Sequence, residues 1–406
     1  MDNKVIKVKE DIYWVGILDD KLRTFDIIME TKYGTTYNSY IINAYKKVVV
    51  ETAKEKFWDT YKAKLNQVCN PSEISYIIID HTEPDHAGSI KHLLELAPDA
   101  VVVGSNSAIK FLENQIGEVF KHQIVKEGDV IDLGNKKLRV ISAPNLHWPD
   151  SIYTYLEEDK LLFTCDSFGA HFCHEAMFDD LTGNYEDAFT YYYDVILKPF
   201  SRFFLTAIDK IRPLAIDMIC PGHGPILRKH WKRMVDLSEQ YSKTYLANYP
   251  VANRILVAYV SAYGFTKTLA EKIAQGLQLH PGIEVDLCDI EQMDAGELAD
   301  KIAKANAYLF GNPTINQNTL PQMYTCLSMI NPIRDKGKLA GCFGSYGWTG
   351  ETKDILIANF TTLKLNYFGE ALFIKFKPQE KDFENYIHYG KAFGNTFIGK
   401  INSKVS

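Results

Sequence analysis

Seven residues in the first part of this chain are of metal-ligating type. His81, Glu83, Asp85 and His86 fall within the stretch HTEPDH, and His147, Asp166 and His223 follow later. His81, Glu83 and Asp85 alternate, and His86 directly follows Asp85. On a turn leaving a strand, alternate residues point one way and their neighbours another, so this set is able to face two centres. Four imidazoles and three carboxylates exceed what one tetrahedral zinc accepts. They suit two metal ions with three terminal ligands each and one bridging carboxylate. Imidazole serves zinc or iron, whereas hard carboxylate oxygen shifts the preference toward iron or manganese. Mixed His and carboxylate ligation of paired irons is familiar from helical bundles; here it sits on a different fold. Any one of these histidines alone reads as an ordinary core or surface residue. The joint occurrence of suitable residue types in four loops carries the assignment. Thiols such as Cys165 are softer ligands and stay outside the set.

Other residues carry weaker signals. His171, Tyr192 and Tyr193 are candidate proton donors beside the metals, although the run YYY at 191–193 reads equally well as one face of an amphipathic helix. His174 has no assigned partner. Trp148, next to His147, either packs or shields the site.

The elements that must position these residues are strands. SYIIID (75–80) leads into HTEPDH, and the GSIKHLLELAP after it is a helix ended by Pro98. AVVVGS is a strand followed by a helix in SAIKFLENQIG. LRVISAP (138–144), the pair SIYTYLEE and KLLFTCD, and PLAIDMICPGHGP are further strands. His147, Asp166 and His223 each lie just beyond a strand end, where a rigid sheet fixes the start of a functional loop.

YLANYPVAN (245–253) reads as a linker, which sets domains at 1–250 and 251–406. Beyond it, strands and helices alternate: RILVAYV, a helix over 266–277, IEVDLCDI, a helix near 295–304, AYLFGNP, a helix near 319–330, KLAGCFGSYG, another helix, EALFIKF and a closing helix from 380. This spacing implies a parallel, doubly wound sheet. VAYVSAYGFTKTLAEKI matches neither the dinucleotide fingerprint nor the P-loop pattern. Its loop, Ser261, Ala262, Tyr263, Gly264, Phe265 and Thr266, with Thr268 as a further hydroxyl, offers hydroxyls and backbone N–H groups to a phosphate at a helix N-terminus. Two more loops leave strands on the same edge: Pro313, Thr314, Ile315 and Asn316 in GNPTINQ, and Ser345, Tyr346, Gly347, Trp348 and Thr349 in GSYGWTGE. Such sheets bind ligands at the carboxyl ends of their strands, flavin mononucleotide (FMN) included. Trp348 is the first choice to lie against the flavin ring and Tyr346 the second.

With 406 residues and 46% hydrophobic content, the chain can bury more than one core. No apolar run approaches the roughly 20 residues of a membrane span, and the N-terminus lacks the apolar centre of a signal peptide. A net charge of −6 without a basic stripe argues against nucleic-acid binding. Seven cysteines, scattered and without CxxC spacing, fit reduced thiols in a cytoplasmic protein.

HTEPDH resembles the HxHxDH signature of zinc hydrolases of the metallo-β-lactamase type, with Glu83 in place of the second histidine. HxExDH with a later His, Asp and His, followed by a flavodoxin-like part, is similar over essentially the whole chain to the flavodiiron proteins (A-type flavoproteins). The resemblance implies an α/β chain: a metallo-β-lactamase-like αββα domain with a non-haem diiron site, then a flavodoxin-like doubly wound parallel sheet with FMN. It implies that His81, Glu83 and His147 bind one iron, that Asp85, His86 and His223 bind the other, and that Asp166 bridges them. It implies reduction of O2 to water, of NO to N2O, or both, as protection of an anaerobe. It implies an electron donor such as rubredoxin or a reduced deazaflavin. It also implies a head-to-tail homodimer or dimer of dimers, because flavin and iron within one subunit of that family lie too far apart. Ending at Ser406, the chain resembles the minimal two-domain class. Many members carry a histidine near position 25, where this chain has Phe25 and Asp26. The rival expectation is a dizinc hydrolase with a flavodoxin-like redox-sensing domain.

Overall fold

A computed structural model describes residues 4–26, 29–248 and 253–405. They form two compact units, Met1–Leu246 and Ala247–Ser406. The boundary expected at 250/251 lies outside the described residues. Part of the expected linker is helical, because the helix Trp231–Asn248 runs into it.

The first unit is built on two sheets. Seven strands lie in the order Ile6–Lys9, Ile12–Trp14, Tyr40–Ile42, Lys47–Val50, Ile74–Ile78, Val101–Gly104, His122–Ile124. Five more run Val130–Asp132, Lys137–Ser142, Ile152–Leu156, Leu161–Cys165, Met218–Pro221. Side chains alternate across each strand, and the alternation assigns three cores. Val48, Val50 and Ile78 of the first sheet meet Val140, Leu161 and Phe163 of the second in an inner core. Val49 and Ile77 face the opposite way, onto the helices Trp58–Val68, Ile90–Leu96 and Asn106–Ile116. Ile141 and Leu162 face a third core with Phe189, Phe204 and Met234 from the outer helices. Both sheets are therefore apolar on both faces, which gives the four-layer αββα arrangement expected from the sequence.

Lys47–Val50 runs parallel to Ile74–Ile78, and Leu161–Cys165 runs parallel to Met218–Pro221. In the second sheet, Lys137–Ser142 shares that direction because each pairs with an antiparallel Ile152–Leu156. The carboxyl ends of these strands carry Glu51, His81, His147, Asp166 and His223.

In the second unit the sheet order is Glu284–Asp289, Arg254–Tyr259, Ala307–Gly311, Leu339–Tyr346, Asn366–Lys375, all parallel. Helices cover both faces, Phe265–Gln278 and Phe383–Val405 on one side and Leu298, Met323 and Leu356 from three others on the opposite one. The first strand in sequence lies between the second and the third. That reversal makes a switch point, where loops from adjacent strands diverge and leave a crevice.

Candidate functional site

The loop after Ile74–Ile78 is held by buried acceptors. Glu51, just past Lys47–Val50, takes hydrogen bonds through Oε1 from the backbone N–H of Asp80 (2.5 Å) and of His81 (3.2 Å). Asp150 accepts from Thr82 N and Thr82 Oγ1, both at 2.8 Å. Pro84 then opens a single helical turn, Pro84–Ala87, that carries Asp85 and His86. Gly222 lets the last loop pass close by, since a Cβ there would stand 2.6 Å from His86 Cε1.

All seven expected residues converge in two neighbouring groups, one of His81, Glu83, His147 and Asp166, the other of Asp85, His86 and His223, and a third group joins His86 to Glu51 and to Cys165, which the sequence analysis left outside the set. His147 Nε2 lies 3.0 Å from Glu83 Oε2 and 3.2 Å from Asp166 Oδ2, and His81 Nε2 lies 3.5 Å from the same Asp166 oxygen. On the other side, Asp166 Oδ1 is 3.0 Å from His86 Nε2 and 3.5 Å from His223 Nε2. One carboxylate thus presents one oxygen to each group. His223 Nδ1 donates to the Thr36 carbonyl at 2.6 Å, while His81 Nδ1 is 3.4 Å from Asp150 and His86 Nδ1 is 3.2 Å from Glu51. Each of these three rings turns Nε2 inward and Nδ1 toward a fixed oxygen, the arrangement that orients metal-binding imidazoles.

The electrostatics match. Burial pulls the His81 pKa down, but Asp150, Glu83 and Asp166 raise it to about 10. His147 rises to about 9 against burial through Asp166 and Glu83. Burial pushes Asp166 up, yet His86, His147 and His81 hold it well below the carboxylate range. The pocket is thus built to keep positive charge among ionised carboxylates, and a metal cation supplies that charge in exchange for protons. Neither oxygen of buried Asp85 makes a hydrogen bond, and Oδ2 faces His223 Nε2 at 3.1 Å. Unpaired buried carboxylate oxygens beside inward imidazole nitrogens fit a metal ion.

The weaker candidates separate. His171 is buried, its Nδ1 is 2.9 Å from Thr35 Oγ1, and its ring lies 5.2 Å from that of His223. Burial, reinforced by His223, lowers its pKa to about 3, so it is a neutral imidazole. Tyr192 reaches the same place, 4.8 Å from the His171 ring, with a buried hydroxyl that has no partner. Tyr193 does not join them: its hydroxyl bonds Ser201 and Ser242 in the outer core. Successive helical residues diverge by about 100°, so three consecutive tyrosines cannot share one target, and Tyr191 is exposed. His174 instead accepts from Ala176 N in its own loop. Trp148 lies edge-on to His81 at 5.1 Å, against the site. Phe25 stacks on His171 at 4.4 Å and meets His223 edge-on at 5.5 Å.

In the second unit, eleven of the expected residues share a cleft of about 300 Å³ at the switch point, joined by Gln317 and Phe376. Ser261, Ala262, Gly264 and Thr266 do not line it. Gly264 adopts φ +78° immediately before the helix Phe265–Gln278, a conformation glycine takes without a Cβ penalty. Ser261 Oγ accepts from Lys267 N at 3.1 Å, and Thr268 Oγ1 is bonded to Gly264 O at 3.1 Å. The second hydroxyl is therefore committed to its own helix. Tyr263 and Trp348 stand in the cleft more than three-quarters exposed.

Family comparison agrees with both units. Residues 35–224 match the ODP family beta lactamase, and residues 257–390 match flavodoxin. The chain is 38% identical over 403 residues to flavo-diiron protein FprA2 of Clostridium acetobutylicum, covering 96% of this chain and 99% of that one. It is 35% identical to type A flavoprotein fprA of Rhodobacter capsulatus, covering 99% and 92%. The chain belongs to the flavo-diiron protein family. Among solved structures, rubredoxin oxygen:oxidoreductase from the anaerobe Desulfovibrio gigas matches with a TM-score of 0.67 at 26% identity, covering 98% of this chain and 100% of that one. The flavodiiron protein from Giardia intestinalis matches with a TM-score of 0.64 at 26% identity, over 98% and 97%.

A flavo-diiron protein is an oxidoreductase, and its cofactors are FMN and a non-haem diiron centre. The residues present fit both. Four inward histidines and three carboxylates, with Asp166 offering one oxygen to each group, meet the needs of two irons. The cleft offers exposed aromatics and the unpartnered hydroxyl oxygen of Thr314. Sequence reading missed Glu51, Asp150 and Phe376. Glu51 carried the same signal as the ligands, a carboxylate straight after an apolar strand. Asp150 and Phe376 carried none.

Proposed function

We propose that this flavo-diiron protein reduces O2 to water, NO to N2O, or both, at an iron pair held by seven residues. His81, Glu83 and His147 would hold one iron and Asp85, His86 and His223 the other, with Asp166 offered to both. The observation that carries this reading is the split of Asp166, with Oδ2 at 3.2 Å from His147 and Oδ1 at 3.0 Å from His86. Two bound ferrous ions and a reduced FMN supply the four electrons that, with four protons, take O2 to two waters; two electrons and two protons couple two NO into N2O and water.

The chain's own residues supply the surroundings of that chemistry. Tyr192 has a buried hydroxyl free to give a proton, its pKa raised by burial and then by Asp166. His171 is neutral and can donate a hydrogen bond through Nε2 without adding charge. Phe25 and Trp148 keep water from two sides. In the second unit, Tyr263, Phe265, Pro313, Thr314, Ile315, Asn316 and the 345–349 loop hold FMN. Trp348 would pack against the flavin ring, and the start of Phe265–Gln278 with Ser261, Ala262, Gly264 and Thr266 would hold the phosphate.

A rubredoxin, as in the name of the Desulfovibrio relative, or a reduced deazaflavin is the donor we propose. A head-to-tail homodimer, working in the cytoplasm of an anaerobe, completes the proposal. Among the described residues no helix is long and apolar enough to cross a membrane.

The test is anaerobic reduction followed by stoichiometric challenge with O2 and with NO. Rapid consumption of at least one gas, with water or N2O as product, is the expected result. Zinc-loaded protein inert to both gases after iron reconstitution contradicts it and favours a hydrolase.

A further inference from the structure

Glu51 is 2% exposed and lies outside the seven metal-facing residues. Its Oε1 receives the N–H groups of Asp80 and His81 at 2.5 and 3.2 Å. Its Oε2 stands 3.2 Å from His86 Nδ1 and 3.8 Å from the Cys165 thiol. Glu51 itself is held at φ +58°, and its own amide donates to Ile78 O at 2.9 Å. Its carbonyl receives Ser39 Oγ at 2.8 Å.

We infer that Glu51 is a positioning residue for both halves of the metal centre. It fixes the backbone from which His81 and Glu83 project, and it sets the tautomer of His86. The argument is a count of donors. Two backbone N–H groups, a thiol S–H and an imidazole Nδ1–H face this one side chain. An ionised carboxylate is acceptor-only on both oxygens and can meet all of them. A glutamine of the same shape has one acceptor and one donor end. In either orientation its NH2 group faces an N–H donor, either the two amides or His86. Glu51 Oε2 stands 3.2 Å behind the ring, outside hydrogen-bond geometry, and its charge there favours the proton on Nδ1 and leaves the His86 lone pair on Nε2, the nitrogen that faces Asp166 at 3.0 Å. Outer carboxylates of this kind also raise ligand basicity, and their loss typically weakens metal binding by about 10- to 100-fold.

This inference rests on the diiron reading, so the experiment separates the two. Full-length wild type, E51Q and E51D are reconstituted anaerobically with ferrous iron. Iron per chain is then followed during competition with a chelator, with far-UV circular dichroism and thermal unfolding of the first unit as the control for folding, because FMN reports only on the second. Wild type is expected to hold two irons. E51Q is expected to lose iron to the chelator about 10- to 100-fold more readily, starting with the His86 half, while retaining FMN. E51D keeps the charge but reaches less far, and is expected to lose iron at an intermediate rate. Should E51Q fail to fold, E51D alone decides. Wild-type iron retention in whichever variant keeps a folded first unit overturns the role of Glu51. A wild type that itself cannot hold two irons overturns the diiron reading instead.

Discussion

The two units bind their cofactors by opposite means. In the first, every candidate metal ligand except His147 and Glu83 is fully buried, and three of the four histidines have an oxygen behind the ring. In the second, the cleft is open, with Tyr263, Trp348 and Phe376 largely exposed, and its loops are tied by neutral side-chain hydrogen bonds, Thr266 to Ser345 at 3.3 Å and Thr352 to the Asn318 carbonyl at 3.1 Å. The difference follows from the ligands. A cation pair needs charged groups desolvated and fixed within narrow limits, and those groups must neutralise one another until metal arrives. A flavin offers a flat apolar ring and a phosphate, which stacking and backbone N–H groups recognise without buried charge. One site is therefore specified by side-chain identity, the other mostly by loop shape.

Substitutions can break this contrast. The largest effect is expected for Asp166→Ala, which removes the oxygen offered to each half. Turnover should vanish and iron should be lost, while FMN stays bound; retained turnover in that variant would count against the shared carboxylate. Next comes a charge buried away from both sites. Asp335 is fully buried against Arg334 (2.6 Å) and Lys338 (2.8 Å). Replacing it with Ala should cost the second unit about 3–5 kcal/mol, read as lower thermal stability and easier FMN release, with iron unchanged. Burial pushes the Asp335 pKa up, but Arg334 and Lys338 bring it below the usual value. Its stabilising contribution is thus full above about pH 4 and is lost as pH falls through the lower folded value. Unfolding followed by FMN fluorescence across that range checks the sign.

Smaller effects sharpen the comparison. Tyr192→Phe should slow gas reduction by about 100-fold if its hydroxyl donates a proton. Tyr193→Phe should leave the rate intact and cost only about 1 kcal/mol of stability, through the lost bonds to Ser201 and Ser242. Equal rate losses in the two variants would contradict the divergent placement of these neighbours. Smallest is Trp348→Ala, expected to weaken FMN binding by about 1 kcal/mol, measured by flavin titration, with no change in iron.

What was legible in the sequence follows the same division. The metal groups were readable because His and carboxylate carry their chemistry in their identity, and apolar runs such as SYIIID mark where a strand must end. The parallel second sheet was readable from alternation alone. Tyr193 was misplaced because YYY gives no phase: which neighbour faces the site depends on how the helix docks, a tertiary fact. Residues 245–248 look like linker beside Pro250, yet they close the helix Trp231–Asn248, which the packing of Met234 and Val235 fixes upstream. Glu51 follows an apolar strand as the ligands do, but its pattern does not show that it faces backbone amides, and Asp150 carries no local signal at all. Phe376 reaches the flavin cleft from the last strand, distant in sequence from all three expected loops.

The most direct measurement is electron paramagnetic resonance of the iron-reconstituted protein poised at one-electron reduction of the metal centre. Two irons sharing Asp166 should give a single exchange-coupled, mixed-valent signal. That signal should disappear in Asp166→Ala. Isolated high-spin ferric signals in the wild type, without coupling, would contradict a shared carboxylate and with it the paired-iron account.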